Sequence, residues 1–270
     1  MRPIRVAAQF HPQHGDYPGL RRAVAETEQL GYDLLYTWDH FHPLYGGRDG
    51  RHFECWSMLA AWAEQTSSIE IGALVTCNSY RNPDLLADMA RTVDHISGGR
   101  LVFGIGSGWF RHDYDQYGYE FGTAPSRLRD LGTALPRIIA RWEKLNPAPL
   151  RRPPILIGGT GEQVTLRLVA QYADGWHASF PDHPSDLEPK VAALLKWCDR
   201  YGRDPQAIEW GLGVEPNDLS RFLSADVMTY IDMGFSQFTL GFNGPEWQVS
   251  EGADWLRWRD GVNRNRLVAP

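Results

Sequence analysis

Short runs of apolar, β-branched and aromatic residues recur along the chain, each followed by a longer stretch in which apolar side chains return every three or four positions. The first pattern suits a strand buried on both faces, the second an amphipathic helix. Strand-like runs lie at 4–9, 33–37, 69–75, 101–106, 155–158, 175–178, 208–214 and 237–242. Helical spacing fills 19–30, 54–64, 84–96, 127–143, 162–172, 187–201, 219–233 and 246–264. The punctuation agrees: Gly31 and Gly234 follow helical stretches, Asn82-Pro83-Asp84 opens one and Ser97-Gly98-Gly99 closes one. Eight β-then-α units in 270 residues leave about 34 residues per unit, room for a strand, two loops and a crossover helix. The expected fold is α/β, a (β/α)8 barrel forming a single domain over residues 1–270. A doubly wound open sheet is the alternative architecture.

In such a barrel the chemistry sits at the C-terminal ends of the strands. Those ends and the loops after them bring Phe10, His11, Gln13, residues 38–42, 76–81, 106–112, 158–161, 179–183, Glu215, Asn217 and 242–244 to one rim. The set is rich in aromatic and small residues and poor in acids. That balance suits a large planar cofactor better than a sugar hydrolase, which needs two carboxylates.

Three strand ends stand out. The fourth reads LVFGIGSGWF, where Gly104, Gly106 and Gly108 offer bare backbone to a ligand, or else form an ordinary glycine turn. A dinucleotide fingerprint would need its third glycine at position 109, which is Trp109. The second ends TWDHF. There His40 can serve as acid or base, with Asp39 holding a ring N–H; Asp39, His40 and His42 can instead ligate a metal, or cap a helix and pack. The fifth reads ILIGGTGE, and Gly158, Gly159, Thr160 and Gly161 before a helix at 162 make either a phosphate cradle or a turn. Arg81 and Arg111 follow strands on this rim and can screen an anionic tail or, each alone, serve as solvated surface charges; Arg151 and Arg152 precede a strand and belong to the opposite rim.

Composition narrows the partners. A hydrophobic content of 43% with 22% charged residues is that of a soluble globular protein, and a net charge of -6 argues against nucleic acid. Lysine is confined to Lys144, Lys190 and Lys196, none in a strand-like run, which disfavours Schiff-base chemistry and lysine-bridged metal sites. Cys55, Cys77 and Cys198 are far apart with no CxxC pair, so neither disulfides nor structural zinc is expected. No apolar run approaches the roughly 18 residues of a membrane span, and the chain passes straight into its first strand. A cytoplasmic protein acting on a small-molecule substrate, with no membrane or nucleic-acid partner and no metal, is expected.

TWDHF at the second strand, IGALVTCNSYRNP at the third, SGGRLVFGIGSGWF at the fourth, and ILIGGTGEQ with YADGW at the fifth and sixth resemble the luciferase-like monooxygenase superfamily, in order, over residues 4–180. The Asp39-His40 pair most resembles the branch that uses the deazaflavin coenzyme F420. The resemblance implies a (β/α)8 barrel with the (deaza)flavin across its C-terminal face. It places Asp39 beside the ring and makes His40 the proton donor or electrostatic partner in hydride transfer. Leu74 and Val75 match a bulged third-strand site that holds a non-proline cis peptide against the ring, and Thr76 follows as a further cofactor contact. Gly106, Ser107 and Gly108 would line the ring and ribityl side; Gly158, Gly159 and Thr160 would take the phosphate. Trp109 stands where sugar-phosphate dehydrogenase relatives carry a carboxylate, which argues against a sugar-phosphate substrate. The expected activity is F420-dependent hydride transfer between the deazaflavin C5 and a small organic substrate. The alternatives are an FMN-dependent monooxygenase, a non-catalytic flavin-binding barrel and a metal-dependent hydrolase. Relatives are commonly dimers or larger, so a homo-oligomer is expected.

Overall fold

The computed structural model describes residues 2–217, 219–225 and 227–268. Its strands are β1 (Arg5–His11), β2 (Leu34–Thr37), β3 (Glu70–Ala73), β4 (Thr76–Cys77), β5 (Leu101–Gly106), β6 (Ile155–Gly158), β7 (Gly175–His177), β8 (Glu209–Val214) and β9 (Phe235–Asn243). All pair in parallel, in the order β3-β2-β1-β9-β8-β7-β6-β5-β4, and pairing of β3 with β5 closes the ring. Since β3 and β4 are one interrupted stave, the ring has eight staves, and the fold is the (β/α)8 barrel expected from the pattern.

The interruption has a definite register. Ile71 stands opposite Leu101 but Thr76 stands opposite Ile105, so one residue of the third stave is left over as a bulge. The Leu74–Val75 peptide within it is cis, as the family resemblance implies.

Helices α1 (Tyr17–Leu30), α2 (Cys55–Gln65), α3 (Pro83–Ile96), α4 (Arg111–Tyr117), α5 (Ala124–Trp142), α6 (Thr165–Tyr172), α7 (Glu188–Tyr201), α8 (Leu219–Ala225), α9 (Val227–Met233) and α10 (Ala253–Val268) lie between the strands. Their starts follow the capping chemistry of the sequence. The Asn82 side chain accepts from the Asp84 N–H ahead of Pro83, and Thr123 with Ser126 forms a reciprocal box at α5. Leu86, Ala87, Ala90 and Val93 form the buried stripe of α3. The helix expected at 162 begins at Thr165, and the last helix begins at Ala253 rather than 246. The helix expected over 219–233 is described in two pieces, α8 and α9, with residue 226 outside the described residues. The short α4 was not anticipated: seven residues with two buried positions, Asp113 and Tyr114, carry no apolar stripe to read.

One apolar core lies between staves and helices. A smaller one, Ala7, Leu34, Tyr36, Leu74, Val102 and Leu156, fills the barrel itself. Below it Arg5 bridges Glu70 and Glu209 near the strand N-termini. The interior is thus packed from the bottom up to Leu74, and any ligand must sit above it. Among the described residues no helix is long and apolar enough to cross a membrane.

Candidate active site

Above Leu74 opens a cavity of about 830 Å³ lined from every stave, within the 300–1,000 Å³ typical of small-molecule sites. It carries His11, Trp38, Asp39, His40, Leu74, Val75, Thr76, Gly108, Trp109, Gly158, Gly159 and His177 among its walls. Of the residues expected as cofactor contacts, Asp39, Leu74, Val75, Thr76, Gly108, Gly158 and Gly159 therefore line it; Gly106, Ser107 and Thr160 do not.

The glycine ladder of β5 serves the protein's own packing. A Cβ on Gly104 would stand 1.8 Å from the Ala73 carbonyl oxygen, and one on Gly106 would stand 2.8 Å from Val75 Cγ2. These two glycines make room for the bulged third stave. At Gly108, where φ is +81°, a Cβ would meet the Tyr114 hydroxyl at 2.0 Å and Cys77 Sγ at 2.5 Å. The bulge in turn presents Val75 to Gly158, whose absent Cβ would sit 3.1 Å from Val75 Cγ1. The ladder is a correction to the expected ligand floor: the bulge, rather than a ligand, presses on Gly104 and Gly106.

His40 is held by a partner far away in sequence. Its Nδ1 lies 2.9 Å from Asp113 Oδ2, a residue of α4. Asp113 is fully buried and also receives His42 Nδ1 at 3.0 Å, the Phe41 N–H at 3.2 Å and the Tyr80 hydroxyl at 3.1 Å. Burial alone would raise the Asp113 pKa, but the hydrogen bonds from His40 and His42 hold it below the ordinary carboxylate value. With Nδ1 committed, Nε2 is the His40 nitrogen left for the cavity. Trp38, Trp109 and Phe110 meet the His40 ring edge-on at 5.8, 5.7 and 5.4 Å, which fixes its plane.

Asp39 does not orient His40. Both its oxygens take the Arg81 guanidinium, Nη1 to Oδ2 at 2.6 Å and Nη2 to Oδ1 at 3.0 Å, and Oδ2 also accepts the Cys77 N–H. Burial raises the Asp39 pKa, and these contacts oppose it. Arg81 also reaches Glu54 at 2.5 Å and is nearly buried, so it does not screen a ligand tail. Asp39 is thus engaged by a guanidinium and is not grouped with His40 and His42; among the described residues no cluster of three or more His, Cys, Asp or Glu is placed to hold a metal. The glycine turn after β6 also differs from a simple phosphate cradle. The Gly159 N–H is bonded to the His177 carbonyl at 3.0 Å, and the Gly159 carbonyl accepts Trp176 Nε1 at 2.9 Å.

His177 carries a pH signature. It is buried, Nδ1 accepts the Ser179 N–H at 3.3 Å, and Nε2 has no hydrogen-bond partner among the described residues. Burial pushes its pKa down to about 4. His52, which accepts Trp38 Nε1 at 3.0 Å, is lowered to about 4, chiefly by burial. A histidine depressed on folding binds its proton more readily unfolded, so its contribution is intact above about pH 6.5 and lost as pH falls toward 4. His177 alone is expected to remove about 3 kcal/mol of stability between pH 7 and pH 4. Urea unfolding across that range checks this: His177→Gln should flatten the pH dependence, and an unchanged slope would refute the assignment.

Asp113 and the second role of Arg81 escaped sequence reasoning, because nothing local pairs position 40 with 113 or 39 with 81. The signal present was weak: an aspartate in the first turn after the β5 glycines.

Comparison with known proteins shows the family. The chain is 26% identical over 249 residues to an uncharacterised protein of Mycobacterium tuberculosis strain H37Rv, covering 81% of this chain and 87% of that one. It is 29% identical over 200 residues to the F420-dependent hydroxymycolic acid dehydrogenase of the same organism, covering 67% of this chain and 54% of the relative. The barrel superposes on the F420-dependent secondary alcohol dehydrogenase in complex with an F420-acetone adduct with a TM-score of 0.80 at 16% identity, over 93% of this chain and 97% of that one. The model of the family described as luciferase-like monooxygenase matches residues 1–216. This chain belongs to the luciferase-like monooxygenase family.

Proposed function

We propose that this enzyme is an F420-dependent oxidoreductase that transfers a hydride between the deazaflavin C5 and a small organic substrate, with His40 as the acid or base. The observation that carries the reading is the His40 ring, anchored from behind by buried Asp113 and exposed to the cavity through its other nitrogen. The walls suit a flat heteroaromatic group. Gly108, Gly158 and Gly159 offer backbone without side chains, Leu74 and Val75 offer an apolar step, and the cavity volume accommodates the ring. Asp39, Leu74, Val75, Thr76, Gly108, Gly158 and Gly159 would hold it; Gly106, Ser107 and Thr160 are assigned no contact. When bound, the deazaflavin supplies the carbon that gives or takes hydride, and it lacks the N5 needed for ready oxygen chemistry. The chain's own part is to orient His40 through Asp113, to shield it with Trp38, Trp109 and Phe110, and to give or take at Nε2 the proton that accompanies hydride transfer. The F420 dependence of the hydroxymycolic acid dehydrogenase relative supports the same choice. The proposal takes residues 1–270 as one domain of a homo-oligomer, and sedimentation reads the latter.

Titrating the purified protein with F420 and with FMN, following ligand fluorescence, tests the reading. A saturable response to F420 is expected. Tight FMN binding without an F420 response would overturn it in favour of a monooxygenase.

A further inference from the structure

The charges around the cavity are one-sided. Among its described lining residues there is no lysine and no arginine. Its carboxylates are Asp39, held by Arg81, and Glu215, an exposed residue just past the end of β8. Glu215 takes part in no hydrogen bond or ion pair among the described residues.

Aromatic residues line the same cavity from the neighbouring staves. Phe180, after β7, lies directly on the backbone of Gly213, two residues before Glu215; a Cβ there would stand 2.3 Å from Phe180 Cε1. On the other side, at the ends of β9 and β1, Asn243 Oδ1 lies 2.8 Å from His11 Nδ1. Trp38 stacks on the His11 ring at 4.1 Å with an interplanar angle of 7°, and Tyr45 approaches both rings. Burial lowers the His11 pKa. The aromatic surface is open: Tyr45 is 60% exposed, Trp109 64% and Phe180 52%. Large aromatic side chains left in solvent around one mouth mark a binding surface. An anionic substrate would meet the Glu215 carboxylate with no lysine or arginine among the described lining residues to balance it. An organic cation would meet a free carboxylate and several π faces, the chemistry that recognises ammonium groups.

We infer that the substrate carries a positively charged nitrogen, an ammonium or iminium group, seated by Glu215 between the ring of Phe180 and those of Trp38 and Tyr45. The inference rests on the reading that another part of the cavity, formed by Asp39, Leu74, Val75, Thr76, Gly108, Gly158 and Gly159, takes the cofactor.

Calorimetric titration of the protein with benzyltrimethylammonium, against neutral 4-phenyl-2-butanone and anionic phenylacetate, is the test. The cation should bind at least about tenfold more tightly than either control. Glu215→Gln should weaken the cation by about tenfold and leave the ketone unchanged. Phe180→Leu should also weaken the cation, and thermal melting checks that both variants fold. Equal binding of the three probes, a preference for phenylacetate, or an unchanged cation affinity in Glu215→Gln would overturn the inference. F420 titration of the same samples separates the two claims. Cation binding as stated with no F420 binding sinks the proposed function alone, and the converse pair of results sinks this inference alone.

Discussion

Asp113→Asn is expected to slow F420-linked turnover by about 10²–10³-fold, close to the loss on removing His40 itself, while the cofactor dissociation constant stays within about twofold. The carboxylate receives four donors: His40, His42, the Phe41 N–H and the Tyr80 hydroxyl. An asparagine brings one acceptor oxygen and an NH₂ that must face one of those donors. Set where Oδ2 stood, that one neutral oxygen holds the His40 ring less firmly than the carboxylate, so the tautomer that leaves Nε2 for the cavity is less strongly selected. Because the two residues act as one unit, the His40→Ala, Asp113→Asn double variant should be little slower than either single variant. The same substitution sets an NH₂ against the His42 Nδ1 donor and weakens the other three bonds, at a cost of about 1–3 kcal/mol in urea unfolding. If the Asp113 variant turns over within a few-fold of the parent, while His40→Ala does not, Asp113 does not position His40.

A Gly104→Ala variant should lose at least about 3 kcal/mol of stability, more than Gly106→Ala, for which about 1–2 kcal/mol is expected. The new methyl at 104 would stand 1.8 Å from the Ala73 carbonyl oxygen, so two staves would have to separate at the bulge. At 106 the clash is with a Val75 methyl at 2.8 Å, and a side chain can yield where backbone cannot. Denaturant midpoints of the two variants measure the difference. Equal losses would mean that the approach of β3 to β5 is not what demands glycine at 104. Moving the bulge would also shift Leu74 and Val75, so cofactor affinity should fall along with stability in Gly104→Ala.

Much of the fold was legible because its determinants are local. Each stave is a short apolar run and most of the main helices carry an apolar stripe, four of them with a side-chain cap, so the alternation could be read from the sequence alone. The strands at 101–106 and 155–158 fall where the pattern placed them. Elements with weak local signatures were misjudged: α4 has no stripe, and the starts of α6 and α10 depend on turns that hydropathy does not encode.

At the site, residue identities and rim position were legible, and partnerships were not. The periodicity brought Asp39, His40, Gly108 and Gly158 to one end of a barrel, because parallel β/α units all deliver their strand ends to the same face. Adjacency in sequence suggested that Asp39 would hold the ring of His40. Successive residues of an extended segment point to opposite sides; the two diverge, Asp39 going to Arg81 and His40 to Asp113. The glycines of β5 are equally instructive. Their spacing announced a close approach to the backbone, but a missing side chain says only that space is required and never what fills it. What fills it is Ala73 and Val75 of a neighbouring stave some thirty positions earlier in the chain, a contact set by register and closure of the barrel that no local pattern carries.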